Sequence, residues 1–458
     1  MDYSALPVFY ETDIAVCGGG TAGAFAAKAA ADMGEKTLIV EQFGSLGGTS
    51  TNGLVHPVMS TYVDGNPQCS YISKIVYDKL LEMNAAEQRT DLYFDPLALK
   101  CVLEEMCVES GVNILYYTFI VDVITEDGKI KALVVANKQG LGLIKAKMFI
   151  DTTGDADVCV RAGAEFSKGN PKDGKNQPTS LRYIVSGVDF ERFGEFILEV
   201  NQKTGKTQGG VYRKGDVLYV ACCDDEGWSF GNIFDKALEE GDITSEDRVY
   251  WQGFQIPGRK GSIAFNNPEF FEFTDGTNPE HLTKIQIEGK KRIFGQLKFY
   301  KKYFRGFEDA CISEIAPMVG VRESRNAVCE YLLKAEDLLT RRKFDDMICQ
   351  SNYPVDIHGG EGTDEPEFYE NNDGKPWYEI PFRSLVVKGI GNLLVAGRCL
   401  GAEFIAQSSL RVQQSARATG EAAGIGAAMA LKEGKSPCDI SGKDVRNIMT
   451  EKGADFLV

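Results

Sequence analysis

Three glycines near the N-terminus have the spacing of a phosphate-binding turn. Gly18, Gly20 and Gly23 form a G-x-G-x-x-G pattern between an apolar segment and an Ala-rich segment. In a strand-turn-helix unit the first glycine permits the tight turn, the second lets the backbone approach a pyrophosphate, and the third allows close helix packing. The phosphates then lie at the positive end of the helix dipole. The pattern predicts that the chain binds a dinucleotide and leaves open which one.

The segments around these glycines support the same prediction. Residues 13–17 and 37–40 are typical of short buried strands, and residues 22–32 are typical of a helix. Glu41 follows the second strand, about 20 residues past the glycines, where an acidic side chain is expected to bind a ribose hydroxyl. Because a glycine-rich turn of another α/β protein would not require this acid, the context favours dinucleotide binding.

Further α/β elements follow this unit and return near the end of the chain. A second glycine cluster at 43–49 predicts a loop that approaches a ligand. Helices are predicted at 71–83 and 95–110, and strands at 112–117, 121–124, 130–136 and 145–150. The last of these strands runs into small and acidic residues at 151–155. A strand at 391–398 and one long helix at 409–432 close the pattern.

The middle of the chain has a different composition. It is rich in aromatic residues, and stretches such as 180–188 alternate between apolar and polar side chains. We therefore predict that residues 1–164 and 385–458 form one discontinuous α/β domain. Residues 165–384 are predicted to form an inserted α+β domain built on a mainly antiparallel sheet, with helices near 282–303 and 307–315.

Composition limits the partners and the location of the protein. Its 458 residues carry a formal net charge of −16, which argues against nucleic acid or an anionic membrane as a general partner. Residues 1–11 lack the pattern of a signal peptide, and the cysteines form no C-x-x-C pair, so we expect reduced thiols and a cytoplasmic location. The three histidines, His56, His281 and His358, have no metal-ligand spacing, so no metal site is expected.

Taken in order, six motifs resemble those of bacterial FAD-dependent oxidoreductases of the glutathione-reductase-like flavoprotein class. The resemblance extends over nearly the whole chain, and six motifs in order are more specific than one. They are Gly18–Gly23 with Glu41, Leu46–Ser50, Asp151–Asp157, Gly320–Arg325, Tyr353–His358, and Ala396–Arg398 followed by Ser409–Val412.

The resemblance implies FAD as the cofactor and assigns residues to its parts. The residues expected at the pyrophosphate are Gly18, Gly20, Thr21, Ala22, Gly23, Gly154 and Asp155. The adenosine ribose is expected at Glu41 and Gln42, and the adenine at Ile120. The ribityl chain and flavin edge are expected at Gly47, Gly48 and Thr49, and the flavin pyrimidine at the start of a helix at Ser409 and Leu410. Many relatives have Gly-Asp where this chain has Gly397-Arg398, and the cation could contact a phosphate or the reduced flavin.

Candidate catalytic residues lie in the predicted inserted domain. His358 is the first choice for an acid or base, because histidine titrates near neutral pH and Asp356 and Tyr353 precede it in a defined loop. It could equally be a histidine that only satisfies a backbone carbonyl. Arg322 and Arg325, three residues apart, could share a face and bind an anionic group, or could form structural ion pairs with Glu323, Glu330 or Glu336.

Other chemistry that a flavin can support is less favoured. His56 should lie near the flavin, but the sequence around it matches no pattern for covalent attachment, so a packed or substrate-facing role is preferred. A redox-active cysteine pair beside the flavin is not evident, which disfavours disulfide reduction. A second G-x-G-x-x-G is also missing from the sequence, so electrons are expected to pass through a diffusible acceptor or a partner protein.

The leading functional hypothesis is hydride transfer between flavin N5 and a small polar organic substrate, with dehydrogenation of an alcohol or sugar-like molecule favoured. One alternative is fumarate-reductase-like reduction of a conjugated C=C bond in an anionic substrate. Another is a non-catalytic subunit that FAD stabilises, and a third is a nicotinamide-dependent dehydrogenase, which would be colourless. The protein could also form a homo-oligomer.

Overall fold

The computed structural model places helices and strands in alternation at both ends of the chain. It describes residues 3, 5–59, 69–88, 92–206, 211–213, 216–217, 219–223, 228–359, 366–369 and 374–457. The helices α1 to α12 are, in chain order, Gly23–Asp32, Tyr71–Glu82, Pro96–Glu109, Asp157–Arg161, Phe190–Thr204, Gly231–Glu239, Ser245–Val249, Pro279–Tyr303, Ala335–Leu339, Phe404–Leu410, Gln413–Glu433 and Gly442–Glu451.

The strands of the described residues are numbered in the same way. β1 to β25 are Val8–Glu11, Ile14–Cys17, Thr37–Val40, Pro57–Val58, Ala86–Gln88, Leu92–Phe94, Asn113–Leu115, Phe119–Glu126, Lys129–Asn137, Gly140–Lys145, Met148–Asp151, Phe166–Lys168, Thr179–Ser180, Tyr183–Ser186, Val211–Arg213, Asp216–Val217, Tyr219–Cys223, Tyr250–Gln255, Ile263–Phe265, Glu269–Phe270, Cys311–Ile315, Arg325–Ala327, Met347–Ser351, Tyr378–Pro381 and Leu393–Val395.

A parallel sheet of five strands forms the base of the fold. Its order is β25-β11-β2-β3-β7, and every neighbouring pair is parallel. Residues of β2, β3, β11 and β25 are buried throughout, because α1 and α11 pack against the sheet and apolar residues of β9 and β10 belong to the same core. The prediction that both ends of the chain share one sheet is confirmed by the pairing of Phe149 with Leu393. The fold is thus a Rossmann-type α/β fold.

Small residues bring α11 against α1. A Cβ atom at Gly420 would overlap the carbonyl oxygen of Ala22, and one at Gly424 would overlap that of Ala26. The Ala- and Gly-rich composition of both helices therefore allows backbone-to-backbone contact directly above the parallel sheet. This contact fixes the start of α11 beside the turn that follows β2.

A second sheet of five strands has the order β17-β18-β19-β14-β21 and is antiparallel. Its apolar side contributes to a core rich in aromatic residues that runs from Leu181 to Val319. Buried apolar residues from Ala327 onward join the core of the parallel sheet instead. The exact domain boundaries stay a prediction.

Several predicted elements differ from those observed. The helix predicted at 307–315 is wrong, because Cys311–Ile315 is a strand that pairs with β14 over a distance in sequence that local spacing does not reveal. The strand predicted at 145–150 begins at Met148, since Gly140–Lys145 pairs with β9 in a separate sheet. The helix predicted at 409–432 is two helices, because Val412 has an extended backbone with a ψ of 151°.

The other predicted elements agree with the structure to within a few residues. The predicted helices at 71–83 and 95–110 are α2 and α3. The predicted strands at 121–124 and 130–136 are β8 and β9, which pair as a hairpin. The helix expected near 282–303 begins earlier, at Pro279, where Asn278 caps it. No helix of the described residues is long and apolar enough to cross a membrane.

Candidate functional site

A cavity of about 740 Å³ opens at the carboxyl ends of β2, β11 and β25. In parallel sheets this edge is where ligands bind. We call the part of its wall that follows these strands and the loop after β3 the glycine end. It is defined by Gly18, Gly20, Gly48, Gly154 and Gly397.

The opposite part of the wall, which we call the charged end, comes from the antiparallel sheet and the segments that follow it. It is defined by Arg182, Tyr250, Arg322, Asp356 and His358. Two of these five residues, Arg182 and Tyr250, were not predicted from the sequence. The cavity therefore joins two walls that are remote in sequence.

The predicted glycine turn has the geometry that a phosphate requires. Gly18 has a φ of +96°, and a Cβ atom there would lie 2.8 Å from the carbonyl oxygen of Thr152. A Cβ at Gly23 would overlap the carbonyl oxygen of Gly18, so Gly23 serves packing rather than the cavity wall. Beside Gly20 the nearest atom to a Cβ would be 3.7 Å away, which leaves this position open for close approach of a ligand.

The second glycine loop lies directly on the first. A Cβ at Gly48 would lie 2.9 Å from the Cα atom of Gly20. The Gly47 amide donates to the carbonyl oxygen of Gly19 at 2.8 Å, and the Thr21 hydroxyl donates to that of Gly47 at 3.1 Å. Thr21, Ala22, Gly48 and Thr49 consequently line the cavity, whereas Gly47 holds the loop from behind.

Glu41 lies at the cavity wall with Gln42 and Ile120, as the prediction of a ribose and adenine site requires. Its carboxylate accepts hydrogen bonds from the amides of Gly19 at 2.6 Å and Phe43 at 2.8 Å. Burial raises the pKa of this carboxyl, and the two amide donors oppose that shift. The same carboxylate can therefore fix the turn and present an oxygen to a hydroxyl group.

Arg398 does not present an isolated positive charge to the cavity. Its guanidinium lies 2.9 Å from the Asp155 carboxylate and donates to the Ser324 hydroxyl at 3.0 Å. Gly154, Asp155, Gly397 and Arg398 all line the cavity. The pairing neutralises Asp155, which makes this wall less repulsive to a phosphate.

The helix that points its N-terminus at the cavity is α11, and it begins at Gln413. Val412 and Gln413 line the cavity. The side-chain amide of Gln413 donates to the carbonyl oxygens of Val55 at 2.6 Å and Pro57 at 2.9 Å. Ser409 and Leu410 belong instead to the last turn of α10, where the Ser409 hydroxyl donates to the carbonyl oxygen of Tyr353. Their predicted place at a helix start is wrong because of the break at Val412.

His358 lies at the charged end between two carboxylates. Its Nδ1 atom is 2.9 Å from Glu269, and its Nε2 atom is 3.4 Å from Asp356. Arg322 forms an ion pair with Glu269, and Arg411 forms one with Asp356 at 3.1 Å. These side chains form one network, buried at Glu269 and half-buried at His358 and Asp356, in which positive and negative charges alternate.

The carboxylates of this network stay ionised despite their burial. Desolvation favours the neutral form of Glu269, but the charges of Arg322 and His358 outweigh it and hold its pKa below the usual value. The pKa of Asp356 is also lowered, because Arg411, His358 and Arg322 together outweigh its burial. Both groups therefore act as anions toward the imidazole.

Arg322 and Arg325 do not share a face, contrary to the pairwise clamp that their spacing predicts. Residues 325–327 form a strand, so the two side chains diverge. Arg325 donates to the carbonyl oxygen of Asp155 at 2.7 Å and pairs with Asp157. Arg322 alone lines the cavity, and its partner is Glu269 rather than the nearby glutamates considered from the sequence.

Arg182 and Tyr250 were missed by the sequence interpretation. Arg182 is 2% exposed and donates to Asn266 at 2.6 Å and to the carbonyl oxygen of Leu54 at 3.0 Å. Burial lowers the pKa of Arg182 to about 9, so it remains mostly charged at neutral pH. Arg182 is the one charged residue of the segment 179–186, and this is a signal that could have marked it.

His56 is a packed residue, as preferred from the sequence. It is fully buried among the rings of Tyr93, Phe94 and Phe254, and its Nε2 atom is 3.3 Å from the carbonyl oxygen of Gln255. Burial, together with the charge of Arg182, lowers its pKa to about 3. No group of three potential metal ligands occurs within the described part of the chain.

The geometry fits an extended dinucleotide. Glu41, Ile120, the glycine turn and the start of α11 all line one cavity. The turn lies at the N-terminus of α1, which favours negative charge, and it leaves room beside Gly20. The site is thus of the kind that Rossmann-type nucleotide-dependent enzymes use.

Comparison with known proteins defines the family. Residues 13–449 match the model of the family described as FAD dependent oxidoreductase, and the chain belongs to this family. It is an enzyme whose cofactor is FAD, so the hypotheses of a nicotinamide enzyme and of a non-catalytic subunit are set aside. The residues described above would hold the FAD.

Thiamine thiazole synthases of two archaea are similar in sequence to part of the chain. The protein of Methanococcus vannielii is 30% identical over 227 residues, which are 45% of this chain and 84% of that protein. The protein of Methanococcus aeolicus is 30% identical over 162 residues, or 32% of this chain, and the match spans only 57% of the relative.

A solved structure shows the same fold. The p-nitrophenol 4-monooxygenase PnpA from Pseudomonas putida DLL-E4 superimposes with a TM-score of 0.52 over 97% of this chain and 87% of that one. The sequences are 11% identical, so the likeness concerns the fold alone.

Proposed function

We propose that this oxidoreductase moves a hydride between the flavin and a small polar organic substrate bound at the charged end, and that dehydrogenation of a hydroxyl-bearing carbon is the favoured direction. The proposal includes a glutathione-reductase-like arrangement in which residues 165–384 form the substrate domain. FAD, when bound, supplies the hydride acceptor or donor. The observation that carries the proposal is His358, held at the cavity wall by two carboxylates.

His358 can accept the proton that a hydroxyl group loses during such a dehydrogenation. In its neutral form, an Nδ1–H that donates to Glu269 leaves the lone pair of Nε2 to accept a proton. The imidazolium that results has Asp356 within 3.4 Å of Nε2, which stabilises its charge. Glu269 therefore orients the ring, and Asp356 stabilises the protonated form.

Reduction of a C=C bond in an anionic substrate is a second candidate. The clamp of Arg322 and Arg325 no longer supports it, because Arg325 pairs with Asp157. Arg182 supports it instead, since a buried cation at the cavity wall could hold an anionic group. In either direction, a diffusible molecule or a partner protein would exchange electrons with the enzyme.

The test is reduction of the enzyme-bound flavin by candidate alcohols under anaerobic conditions, followed as loss of visible absorbance. His358→Gln should slow flavin reduction by about 100-fold to 10,000-fold, the usual contribution of a general base, with unchanged FAD content. His281→Gln is the matched control, because His281 lies in the first turn of α8 beside Phe273. Reduction of the His358→Gln enzyme at the wild-type rate would contradict the assignment.

A further inference from the structure

Arg182 differs from the other cations of the charged end because it has no acidic partner. Arg322 pairs with Glu269 and Arg411 pairs with Asp356. The hydrogen-bond acceptors of Arg182 are the neutral oxygens of Asn266 and Leu54, and no carboxylate of the described residues forms an ion pair with it. The chain has 66 acidic residues against 50 Lys and Arg, so a shortage of carboxylates does not explain this.

The cost of burying this charge makes its position informative. An ionised side chain that is removed from water needs a compensating charge or several hydrogen bonds. Arg182 is 2% exposed, and the hydrogen bonds to Asn266 and Leu54 engage only its Nε and Nη1 atoms. It nevertheless lines the cavity rather than the protein core. At the charged end, the positive charge of Arg182 is therefore not balanced by a paired negative charge of the described residues.

Tyr250 connects this cation to the proposed proton acceptor. Its ring packs edge-on against His358, with centroids 5.3 Å apart. Its hydroxyl donates to Gln252 at 2.7 Å and contacts Asn266, the residue that also accepts from Arg182. Arg182 and His358 are thus linked through Tyr250 and Asn266. A ligand about as long as one such side chain is sufficient to reach both.

We infer that Arg182 binds the carboxylate of the substrate, and that the substrate class is a short hydroxy acid whose hydroxyl group reaches His358. The inference rests on the proposed function for the role of His358, but the binding of an anion by Arg182 does not. A carboxylate placed there supplies the missing negative charge and accepts from the planar guanidinium. A neutral alcohol of the same size would leave Arg182 uncompensated.

The experiment measures binding and turnover separately in the FAD-loaded enzyme. Lactate, glycerate and malate are compared with lactamide and propane-1,2-diol, with binding followed by the flavin difference spectrum and turnover by anaerobic loss of visible absorbance. We expect a carboxylate to bind at least about 10-fold more tightly than its neutral analogue. Arg182→Gln should weaken carboxylate binding by about 30-fold or more and leave binding of the neutral analogue unchanged.

Two further variants distinguish a loss of carboxylate binding from a folding defect. Arg182→Lys retains the positive charge and should retain part of the preference for carboxylates. Arg192→Gln is the control, because Arg192 forms an exposed ion pair with Glu308 far from the charged end. FAD content and thermal unfolding are recorded for each protein, and only proteins with wild-type FAD content are compared.

The outcomes separate the two proposals. Preferential binding of carboxylates that disappears in Arg182→Gln, together with turnover of hydroxy acids, supports both proposals. The same loss of preference without any turnover supports the role of Arg182 and overturns hydroxy acid oxidation. Turnover of neutral alcohols with no preference for carboxylates supports the proposed function and overturns the inference. Carboxylate preference that persists in Arg182→Gln likewise overturns the role of Arg182.

Discussion

The glycine end of the cavity offers mainly backbone, whereas the charged end offers mainly side chains. Within one turn of the chain, the ligand-facing surface is set by the positive φ of Gly18 and by the missing Cβ atom of Gly20. At the charged end, Glu269, Arg322 and His358 come from separate segments and hold one another in place. A site made of backbone depends on local conformation, and a site made of charges depends on the complete tertiary fold.

The buried carboxyl groups show the same difference. Glu269 has cationic partners, and its pKa is lowered in spite of its burial. Glu421, in α11, accepts from the Ser70 hydroxyl at 2.7 Å and from the amide of Ile72 at 3.2 Å, with no described cation in ion-pair contact. Burial raises the pKa of Glu421 to about 8. The core beside the glycine end thus contains a carboxyl group without a counter-charge.

The largest effect on FAD binding is expected from a side chain placed at the glycine end. Gly20→Val should weaken FAD binding by more than about 100-fold, because the new side chain would enter the space left beside the turn. The measurement is the ratio of FAD to protein after purification and after titration with FAD. Wild-type FAD affinity in a folded Gly20→Val protein would mean that this end does not bind the pyrophosphate.

The next effect concerns the ion pairs of the charged end. Glu269→Gln should reduce the free energy of unfolding by about 3–5 kcal/mol, because it leaves Arg322 buried without its partner. Urea denaturation measures this change, with FAD content as a second readout that should stay unchanged. Glu308→Gln, which removes an exposed partner of Arg192, should change stability by less than about 1 kcal/mol. Equal effects of the two substitutions would contradict the comparison.

Stability should depend on pH through Glu421. Its folded pKa lies near 8 and the ordinary value is 4.5, so the folded protein binds the extra proton between these values. The free energy of unfolding should therefore fall as pH rises through this window, by up to about 1.4 kcal/mol per pH unit from this group. Glu421→Gln removes this contribution, and unfolding curves from pH 5 to about 8 should show a weaker dependence. An unchanged slope in the variant would exclude Glu421 as its source.

The smallest effect is expected at a glycine with no role in either end. Gly295 lies within α8, and apart from its two neighbours and the surrounding backbone of the helix no atom lies within 4 Å of the position of its Cβ. Gly295→Ala should stabilise the protein by about 1 kcal/mol or less through helix propensity, and should not change FAD binding. Thermal unfolding and FAD titration measure both. Loss of FAD here would show that Gly20→Val is not a specific test.

The sequence predicted the glycine end better than the charged end for a physical reason. Gly18, Gly20 and Glu41 lie within 24 residues, so one strand-turn-helix unit with its second strand determines their arrangement. Arg322 and Arg325 form separate ion pairs, which was one of the two interpretations of the sequence, but their partners were not predicted because strand pairing of β22 with β12 decides where Arg325 points. Ser409 and Leu410 were misplaced because Val412, whose extended backbone ends the helix, has no strong helix-breaking signal in the sequence.

The sequence by itself determined the strand-turn-helix unit with its glycines and Glu41, and the return of the chain to the parallel sheet, whereas the ribose site and the role of His358 stay predictions. These depend on local periodicity, on small residues and on the order of motifs. Only the tertiary structure decided that Glu269 and Asp356 hold His358, that no carboxylate of the described residues pairs with Arg182, and that Arg325 faces away. Charge pairing inside a protein depends on distances in space between segments that can be more than a hundred residues apart, such as those of Arg325 and Asp157, and local sequence patterns do not encode those distances.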